Sequence, residues 1–461
     1  MHLVRKSSHM YKQKMEFLAI ILAAGKGSRL KSNLAKPLHK VAGNALVKWV
    51  SVAAETAGAT AQICVTAAND HESMKQISST AMAIIQDPPR GTGDAVKRCL
   101  PQLEHLPKDF PVLILYADTP LIQTDTLREL ANRIKTGTDI CLLGFTTDNP
   151  TGYGRIVLSE DKMVKAIVED KDASEDEKKI QLVNGGVMAA KAGILTQFLP
   201  QMTATNSQNE LYLTELVSLS KDADAQINVL VTKEDELAGV NDRVQLAYVE
   251  AVMQSRLRTK AMINGVTLQA PETIFLSADT NFGSDIVIEP HVIIGKGVSI
   301  ADGCVIKAFS HLEEAKIGKD CVVGPYARLR PNTVLAQNVK IGNFVETKNV
   351  TFAQGSKANH LSYLGDAKIG QEVNIGAGTI TCNYDGLNKL TTTIEDGVFI
   401  GSNSALIAPV IIGKGALIGA GSVITKDVDE FAVGISRPSQ KQIKNGAKAH
   451  RKKTIKKMSL K

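Results

Sequence analysis

The sequence predicts an α/β protein in two parts, a doubly wound domain with a mostly parallel sheet followed by a parallel β-helix of hexapeptide repeats. From Phe17 to about Val240, short aliphatic runs alternate with amphipathic stretches. After Phe282 the pattern changes to several stretches in which an aliphatic residue stands at every sixth position. A length of 461 residues also exceeds what one hydrophobic core usually supports, which favours two domains.

Strands of the first part are predicted from runs such as FLAIILAAG and PVLILYAD, which are apolar throughout. Uninterrupted apolar runs indicate strands buried on both faces, as in a parallel sheet covered by helices on each side. We therefore expect a Rossmann-like domain over residues 15–240, preceded by a disordered lead-in over residues 1–14. A connecting helix is predicted over residues 241–265, because Asn241 can cap it and apolar residues recur near helical spacing.

The hexapeptide repeat occupies residues 266–438. Segments such as IGKGVS, IADGCV and IGAGTI begin with an aliphatic residue and carry small residues at the second or fifth place. This pattern predicts flat turns of short strands in which the first residue points inward and glycine allows the corners. A narrow prism has little space for rings, which agrees with an aromatic content of only 4%.

Charge and cysteine content argue against several classes of protein. The formal net charge is +7, but nine Lys and Arg residues without an acid lie between Lys441 and Lys461, so the body is nearly neutral. We expect the basic tail, residues 439–461, to be solvated, with neither nucleic-acid binding nor membrane insertion, because no aromatic residue interleaves with its cations. Six cysteines without a CxxC pair favour a reducing, cytoplasmic location over a zinc cluster or a disulfide framework.

A glycine-rich loop follows the first predicted strand. LAAGKGSR, residues 22–29, combines two glycines with Lys26 and Arg29, and Lys36 follows seven residues later. Backbone N–H groups and cations in this arrangement are suited to wrapping a triphosphate. The loop matches neither a P-loop nor a dinucleotide fingerprint, and a simple tight turn is the structural alternative.

LAAGKGSRL followed by KPLHKVAG resembles the nucleotidyltransferases that condense sugar phosphates with nucleoside triphosphates. QDPPRGTGDA resembles their uracil-recognising loop, and LYADTPLI places Asp118 at the C-terminal end of a buried strand, where ligands bind such sheets. PTGYGR, IVEDKD, LVNGG and GVNDR follow in the order of that family. The resemblance implies that UTP and the UDP-sugar are bound by Leu22, Ala23, Ala24, Gly25, Lys36, Gln86, Gly91, Thr92, Tyr116, Ala117, Asp118, Gly154, Glu169, Asn184 and Asn241.

The same resemblance implies a Mg²⁺ site at Asp118 and Asn241. The ion would bridge the phosphates, while Arg29 and Lys36, the implied catalytic cations, spread the charge of the reacting phosphates. Two protein ligands suffice for Mg²⁺, because substrate phosphates and waters complete its octahedron. The chain departs from the family at Ala117, where Gly is common, and at Asp170, where some members have His.

Polar residues between Pro325 and Asp385 fall outside the aliphatic positions of the repeat. Acyl transfer to a sugar amine needs a base, a cationic clamp for the phosphate and an oxyanion donor. The candidates are His360 for the base, Arg330, Lys348 and Lys389 for the cations, and Tyr363, Asn374 and Asn383 for the sugar and oxyanion. A lone histidine is more often structural than catalytic, so His360 alone is weak evidence.

PYARLRP, NFVETKN, GSKANHLSYLGD and VNIGAGTITCNYDG resemble the acetyltransferase half of the GlmU family, bifunctional N-acetylglucosamine-1-phosphate uridyltransferase/glucosamine-1-phosphate acetyltransferases, and the resemblance covers residues 17–438. It implies a left-handed β-helix, a homotrimer, and synthesis of UDP-N-acetylglucosamine for the bacterial cell envelope. His360 is then the base and Glu346 its supporter. Implied sugar-phosphate contacts are Arg330, Lys348, Tyr363 and Asn374, and implied acetyl-CoA contacts are Ala377, Asn383, Tyr384, Lys389, Ser402, Ala420 and Arg437.

Two other functions stay open from the sequence. The first is a single-activity sugar-phosphate pyrophosphorylase with a structural β-helix, because hexapeptide helices can be purely structural. The second is a regulatory scaffold that has lost catalysis. The intact Arg29, Lys36 and Asp118 argue against the scaffold. The combination of His360, Tyr363 and Asn383 argues against a single activity.

Overall fold

The computed structural model of the chain describes residues 17–25, 27–70, 81–203 and 210–458. It divides into two compact units between Leu257 and Arg258. The predicted lead-in and Lys26 of the glycine-rich loop lie outside the described residues.

The first unit is an α/β domain with helices on both faces of its sheet. Its strands are β1 (Phe17–Leu22), β2 (Lys40–Val41), β3 (Asn44–Ala45), β4 (Ala59–Thr66), β5 (Ala81–Ile85), β6 (Pro111–Tyr116), β7 (Ile140–Thr146), β8 (Arg155–Leu158), β9 (Val164–Val168), β10 (Leu182–Lys191) and β11 (Ile227–Thr232). Its helices are α1 (Leu46–Ala57), α2 (Thr92–Lys97), α3 (Leu100–Leu103), α4 (Thr124–Lys135), α5 (Ala192–Phe198), α6 (Glu215–Lys221) and α7 (Arg243–Ile263), which contains the boundary between the units.

The sheet runs in the order β11-β7-β10-β6-β1-β4-β5. The neighbours of β1 are both parallel to it, which confirms the parallel core predicted from its apolar run. Alternate residues of β1 enter two buried clusters, one with α1 and α4 and the other with α2, α5 and α6. Strand β10 is antiparallel to both β6 and β7, a departure that apolar runs do not reveal.

The loops after β1 and β6 meet at one edge of this sheet. Leu22 and Tyr116, the last residues of the two strands, lie opposite each other. The backbone N–H of Val240 donates to the carbonyl of Asp118 at 2.9 Å, which brings the start of α7 to the same edge. Asp242 caps α7, since its carboxylate accepts from the Gln245 N–H at 2.8 Å. The prediction that Asn241 caps the helix is therefore wrong, because its side-chain oxygen accepts a hydrogen bond from Lys36 instead.

The second unit is a parallel β-helix. Its strands are β12 (Val266–Leu268), β13 (Asn281–Phe282), β14 (Ile286–Ile288), β15 (Ile293–Ile294), β16 (Ser299–Ile300), β17 (Val305–Ile306), β18 (His311–Leu312), β19 (Ala315–Ile317), β20 (Val322–Val323), β21 (Arg328–Leu329), β22 (Thr333–Leu335), β23 (Lys340–Asn343), β24 (Glu346–Phe352), β25 (Lys357–His360), β26 (Tyr363–Ile369), β27 (Asn374–Ile375), β28 (Ile380–Cys382), β29 (Thr392–Ile394), β30 (Phe399–Ile400), β31 (Ala405–Ile407), β32 (Val410–Ile412), β33 (Leu417–Ile418), β34 (Val423–Ile424) and β35 (Val433–Gly434). A helix, α8 (Gly446–Met458), forms within the basic tail.

Strand pairing confirms the hexapeptide repeat. Val287 pairs in parallel with Val305, and Phe399 with Leu417, in each case 18 residues or three hexapeptides along the chain. First-position residues such as Ile306 and Ile400 are fully buried, so the aliphatic column of the repeat is the core. The sheets agree with a left-handed parallel β-helix.

A longer turn interrupts this regularity. Asn374 pairs with Phe399, 25 residues away, and the additional residues form an exposed loop that contains Tyr384 and Lys389. Leu387 at its tip is 89% exposed. Among the described residues, no helix is both long and apolar enough to cross a membrane.

Four rings stack outside the β-helix at one corner, and we call them the aromatic column. They are His291, Phe309, Tyr326 and Phe344, with centroids 4.8–5.3 Å apart. All four residues have φ between 55 and 60°. The left-handed conformation at the same corner of each turn directs the rings outward.

Candidate functional site

A cavity of about 440 Å³ lies where the loops after β1 and β6 meet, a size that suits a nucleotide. Lys36, Pro37 and Thr92 line it beside the ends of the two strands. Eleven predicted nucleotide-binding residues line this cavity: Leu22, Ala23, Ala24, Gly25, Lys36, Gln86, Gly91, Thr92, Tyr116, Ala117 and Asp118.

The glycine-rich loop is shaped by the proximity of Lys36. Gly27 has φ of 58°, and a Cβ at this position would lie 2.6 Å from Cβ of Lys36. A side chain at position 27 would therefore displace Lys36, which explains the glycine. Arg29 lies in the 3₁₀ turn that follows, and its side chain is exposed outside the cavity lining.

Lys36, Asp118 and Asn241 converge on one point. The Lys36 ammonium contacts the Asp118 carboxylate and donates to Asn241 Oδ1 at 2.8 Å. Both side chains therefore present oxygen atoms to the same cation. The backbone of Asn241 is fixed in turn, because its N–H donates to Gln245 Oε1 at 2.7 Å.

Gln86 is buried and organises the predicted base-recognising loop. Its amide nitrogen donates to the Gly91 carbonyl at 2.9 Å and to the Asp94 carboxylate at 2.8 Å. These bonds close the loop onto the start of α2. Thr92 Oγ1 accepts from the Leu213 N–H at 3.0 Å, so the loop is held from its other side as well.

A second cavity of about 200 Å³ adjoins the first, and Thr92 and Tyr116 line both. Glu169 and Asn184 line the second cavity, and the Asn184 N–H donates to the Gly154 carbonyl at 2.8 Å. Gly154, Glu169 and Asn184, which the resemblance assigns to UTP and the UDP-sugar, thus lie together beside the first cavity.

Burial governs the titration of the groups around the second cavity. It raises the pKa of Glu169, with a further contribution from the Asp172 carboxylate, while a hydrogen bond from Thr214 opposes the change. Burial, and next the charge of Asp118, raise the pKa of Tyr116 to about 12. The Tyr116 hydroxyl is therefore a neutral hydrogen-bonding group near pH 7.

Sequence reasoning missed Glu210, Tyr212 and Thr214. Glu210 and Tyr212 line the larger cavity, and Tyr212 and Thr214 line the smaller one. Backbone bonds place this segment, because the Leu211 N–H donates to the Arg90 carbonyl at 2.9 Å and the Gly93 N–H donates to Leu211 at 2.7 Å. Such pairing over 120 residues has no local sequence signal.

The β-helix carries a cluster of three cations, Arg330, Lys348 and Lys389. Arg330 donates to Glu346 Oε1 at 2.6 Å. The charge of Lys389, followed by that of Arg330, lowers the pKa of Lys348. Cations that repel one another favour an anion between them.

Tyr363 and Asn383 lie next to this cluster at Gly365, which pairs with Lys348. A Cβ on Gly365 would lie 2.5 Å from the Tyr363 hydroxyl and 3.0 Å from Asn383 Nδ2, so glycine leaves the space in which these groups meet. The Asn383 amide donates to Asp366, a residue that sequence reasoning missed.

His360 is exposed at the end of β25. Its Nδ1 lies 2.8 Å from Asn343 Oδ1, and the two residues are in register on neighbouring strands. An amide oxygen only accepts, so Nδ1 carries the proton and Nε2 keeps its lone pair. With Lys340 and Asn359 these two residues line a surface depression of about 420 Å³.

Within one chain, Glu346 does not contact His360, so its support of the base stays a prediction. Glu346 begins β24, past the corner that follows Asn343, and its hydrogen-bond partner is Arg330. Asn343 therefore orients His360 within one chain. Asn374 lies one turn beyond β25 on the same face, opposite Lys357, rather than on the strands of the cationic cluster.

Ala377, Ser402 and Ala420 stack at one corner of the β-helix. Each is the third residue of its hexapeptide, and the carbonyls of Ala377 and Ser402 accept N–H bonds from the next turn at 2.7 and 2.8 Å. The Arg437 guanidinium donates to the Ala420 carbonyl. Turns are about 4.8 Å apart, so these residues form a narrow strip suited to an extended ligand. Tyr384 stands apart in the exposed loop and donates to the Gly386 carbonyl at 2.6 Å.

Comparisons with known proteins agree with the division into two units. Residues 19–178 match the MobA-like NTP transferase domain family. Residues 314–349 and 391–426 match the bacterial transferase hexapeptide (six repeats) family.

Curated relatives resemble the whole chain. The chain is 46% identical over 428 residues to the Bifunctional protein GlmU of Azorhizobium caulinodans, an alignment that covers 92% of this chain and 94% of the relative. It is 47% identical over 438 residues to the protein of the same name from Xanthobacter autotrophicus, covering 94% and 97%. For the protein of this name from Cellvibrio japonicus, identity is 44% over 453 residues, covering 94% and 99%.

Proposed function

The chain belongs to the GlmU family of bifunctional transferases, and from this premise we propose that its halves catalyse successive steps to UDP-N-acetylglucosamine. The C-terminal half acetylates glucosamine-1-phosphate with acetyl-CoA. The N-terminal half transfers the uridylyl group of UTP to the product and releases pyrophosphate. The observation that carries the proposal is a pair of separate polar sites in different folding units. One is Lys36 with Asp118 and Asn241 beside the glycine-rich loop, and the other is the cationic cluster of Arg330, Lys348 and Lys389.

In the uridylyl step, a phosphate oxygen of N-acetylglucosamine-1-phosphate attacks the α-phosphorus of UTP, and the bond to the departing pyrophosphate breaks. The glycine-rich loop and Lys36 bind the phosphates, and the loop closed by Gln86 holds the uracil. Glu169 and Asn184 hold the sugar in the adjoining cavity. Since the attacking oxygen is already anionic, the site contributes orientation and charge rather than a base.

Mg²⁺ fits the first site. Asp118 and Asn241 offer one carboxylate and one amide oxygen, which are hard donors that this ion prefers, and they already converge on the Lys36 ammonium. When bound, the ion supplies neutralisation of the triphosphate charge. The Lys36 ammonium, which contacts Asp118 and Asn241 in the structure, would then bind the triphosphate instead.

In the acetyl step, the sugar amine attacks the thioester carbonyl of acetyl-CoA. A C–N bond forms, the C–S bond breaks with coenzyme A as the leaving group, and His360 Nε2 accepts the proton of the amine. Arg330, Lys348 and Lys389 bind the sugar phosphate, and Tyr363 and Asn383 contact the sugar. Coenzyme A lies along the strip of Ala377, Ser402 and Ala420.

Replacing Lys348 with methionine is expected to raise KM for glucosamine-1-phosphate about 10- to 100-fold, because a charge-assisted contact to the phosphate is lost. Steady-state kinetics of coenzyme A release would measure this. Lys368→Met is the control, since Lys368 is an exposed lysine of β26 that pairs with threonines outside the cluster. Equal KM values for the two variants would contradict the assignment.

We further propose a homotrimer, the assembly that the family resemblance implies. His360 and the cationic cluster lie on different strand faces of one chain, so a second copy can complete each site. The aromatic column is the surface that we assign to this contact, because Phe309, Tyr326 and Phe344 are 47–56% exposed. Leu361, directly after His360, is 60% exposed and shares their left-handed conformation. Exposed apolar groups in a continuous row favour a protein interface.

Phe344→Glu is expected to convert the trimer to monomers, because a buried unpaired carboxylate disfavours the interface. Acetyl transfer would fall at least about tenfold as shared sites separate, while uridylyl transfer would persist. Light scattering after size exclusion gives the mass. The control is Phe275→Glu, which changes a phenylalanine of similar exposure, 47%, outside the column. A trimeric Phe344→Glu protein would contradict the assigned contact.

The proposed function is tested directly by supplying the purified chain with glucosamine-1-phosphate, acetyl-CoA, UTP and Mg²⁺. Formation of UDP-N-acetylglucosamine with one coenzyme A and one pyrophosphate per product is expected. Omission of acetyl-CoA should stop product formation, and addition of N-acetylglucosamine-1-phosphate should restore it. Product formation only from the N-acetylated sugar would instead favour the single-activity pyrophosphorylase. We place the reaction in the cytoplasm, where UTP and acetyl-CoA are made.

A further inference from the structure

Helix α7 contacts three loops of the first active site. Besides fixing the backbone of Asn241 at its own start, it bonds to residues 30, 42 and 121, which precede their partners on the helix by 213, 208 and 135 residues. Each bond joins a side chain of the helix to a backbone group of a loop. The geometry of the site therefore depends on contacts made outside the cavity.

Arg243 anchors the glycine-rich loop. Its Nε donates to the Leu30 carbonyl at 3.1 Å, directly after Arg29 and at the end of the 3₁₀ turn. Arg243 lies two residues after Asn241 and two residues before Gln245, the backbone anchor of Asn241. The same helix thus holds both the 3₁₀ turn that contains Arg29 and the backbone of Asn241.

Arg256 and Glu250 make the corresponding contacts further along the helix. Arg256 Nη1 donates at 2.5 Å to the carbonyl of Leu121, three residues after Asp118. Glu250 accepts from the Ala42 N–H at 2.7 Å, in the segment that follows Lys36. The helix therefore bonds to the loops of both Asp118 and Lys36.

Apolar packing supports the same contacts. Leu30, Leu121 and Val240 are buried in one cluster with Val249 and Met253 of α7. Val240 precedes Asn241 and is bonded to Asp118 through its backbone. The loops are consequently packed against the helix as well as hydrogen bonded to it, and a shift of one relative to another is resisted.

We propose that Arg243 is a positioning residue for uridylyl transfer, which acts by fixing the glycine-rich loop relative to Asp118 and Asn241. The inference rests on the proposed function of this site. Arg243 lies outside the residues that line the cavity and acts through the Leu30 backbone. Since a misplacement of about 1 Å costs roughly 100-fold in rate, its loss should affect kcat more than substrate binding.

Arg243→Met tests the proposal, with Arg243→Lys as the conservative variant. The control is Arg258→Met, because Arg258 belongs to the same helix and donates in the same way to a carbonyl, that of Ile274, in the second unit. For Arg243→Met, kcat of uridylyl transfer is expected to fall about 10- to 100-fold, with KM for UTP within about threefold. Arg243→Lys should recover most of kcat, and Arg258→Met should stay within about twofold of the natural chain.

Three results would overturn the positioning role. They are an unchanged kcat for Arg243→Met, an equal loss in Arg258→Met, and a loss of kcat matched by a lower melting temperature of the first unit. An inactive natural chain would instead refute the proposed function, so the two failures are distinguishable. Acetyl transfer by each variant, which we expect to be unchanged, reports that the second unit is intact.

Discussion

Asp118→Ala is expected to lower uridylyl transfer by at least about 10³-fold. Asp118 and Asn241 are the two oxygen donors that would hold Mg²⁺, and without the carboxylate the neutral amide of Asn241 alone would hold the ion only weakly. Acetyl transfer should stay within about twofold, because its residues belong to the other folding unit. Pyrophosphate release and coenzyme A release measure the two activities separately.

The matched control is Asp125→Ala. Asp125 lies in α4 shortly after the Asp118 loop, and its side chain is 91% exposed. Both activities of this variant should equal those of the natural chain. Substantial uridylyl transfer by a folded Asp118→Ala protein would contradict the assignment of the metal site.

His360→Ala is expected to lower acetyl transfer about 10²- to 10⁴-fold, since a positioned general base contributes an effect of this size. The hydrogen bond to Asn343 leaves Nε2 free to accept the proton, and the side chain is open to the surface. Uridylyl transfer from added N-acetylglucosamine-1-phosphate should be unchanged. Coenzyme A release followed with a thiol reagent gives the rate.

His311→Ala is the control for this variant. His311 also lies on the β-helix, but its ring contacts Arg328, and it belongs to β18 rather than to the strands around His360. Retention of normal acetyl transfer by His360→Ala would rule out its role as the base. Loss of both activities in a folded His360→Ala protein would be incompatible with separate sites.

Much of the fold could be predicted from local patterns. The apolar runs of β1 and β6 indicated buried parallel strands, and the sixfold period identified the core of the β-helix down to residues such as Ile306 and Ile400. Both signals are local. A strand buried on both faces needs apolar residues throughout, and the inward position of each hexapeptide needs an aliphatic residue. The antiparallel β10 was not predictable, since its direction depends on its neighbours.

The candidate sites show the same limit. Asp118 follows the end of β6 and Lys36 lies in the loop after β1, so the sheet topology brings them together. Tyr212 reaches the cavity through the backbone bond of Leu211 to Arg90, which has no local sequence signal. Glu346 and His360 were paired by resemblance. Within one chain the strand register gives His360 a contact to Asn343, and the role of Glu346 stays a prediction because it lies beyond a corner of the β-helix.

Two successive reactions at independent sites are the central claim, and mixing two variants tests it most directly. Asp118→Ala and His360→Ala, each unable to convert glucosamine-1-phosphate to UDP-N-acetylglucosamine, are combined with acetyl-CoA, UTP and Mg²⁺. We predict that the mixture restores product formation, with a lag while free N-acetylglucosamine-1-phosphate accumulates. A mixture that stays inactive, although each variant retains its other activity, would contradict the account.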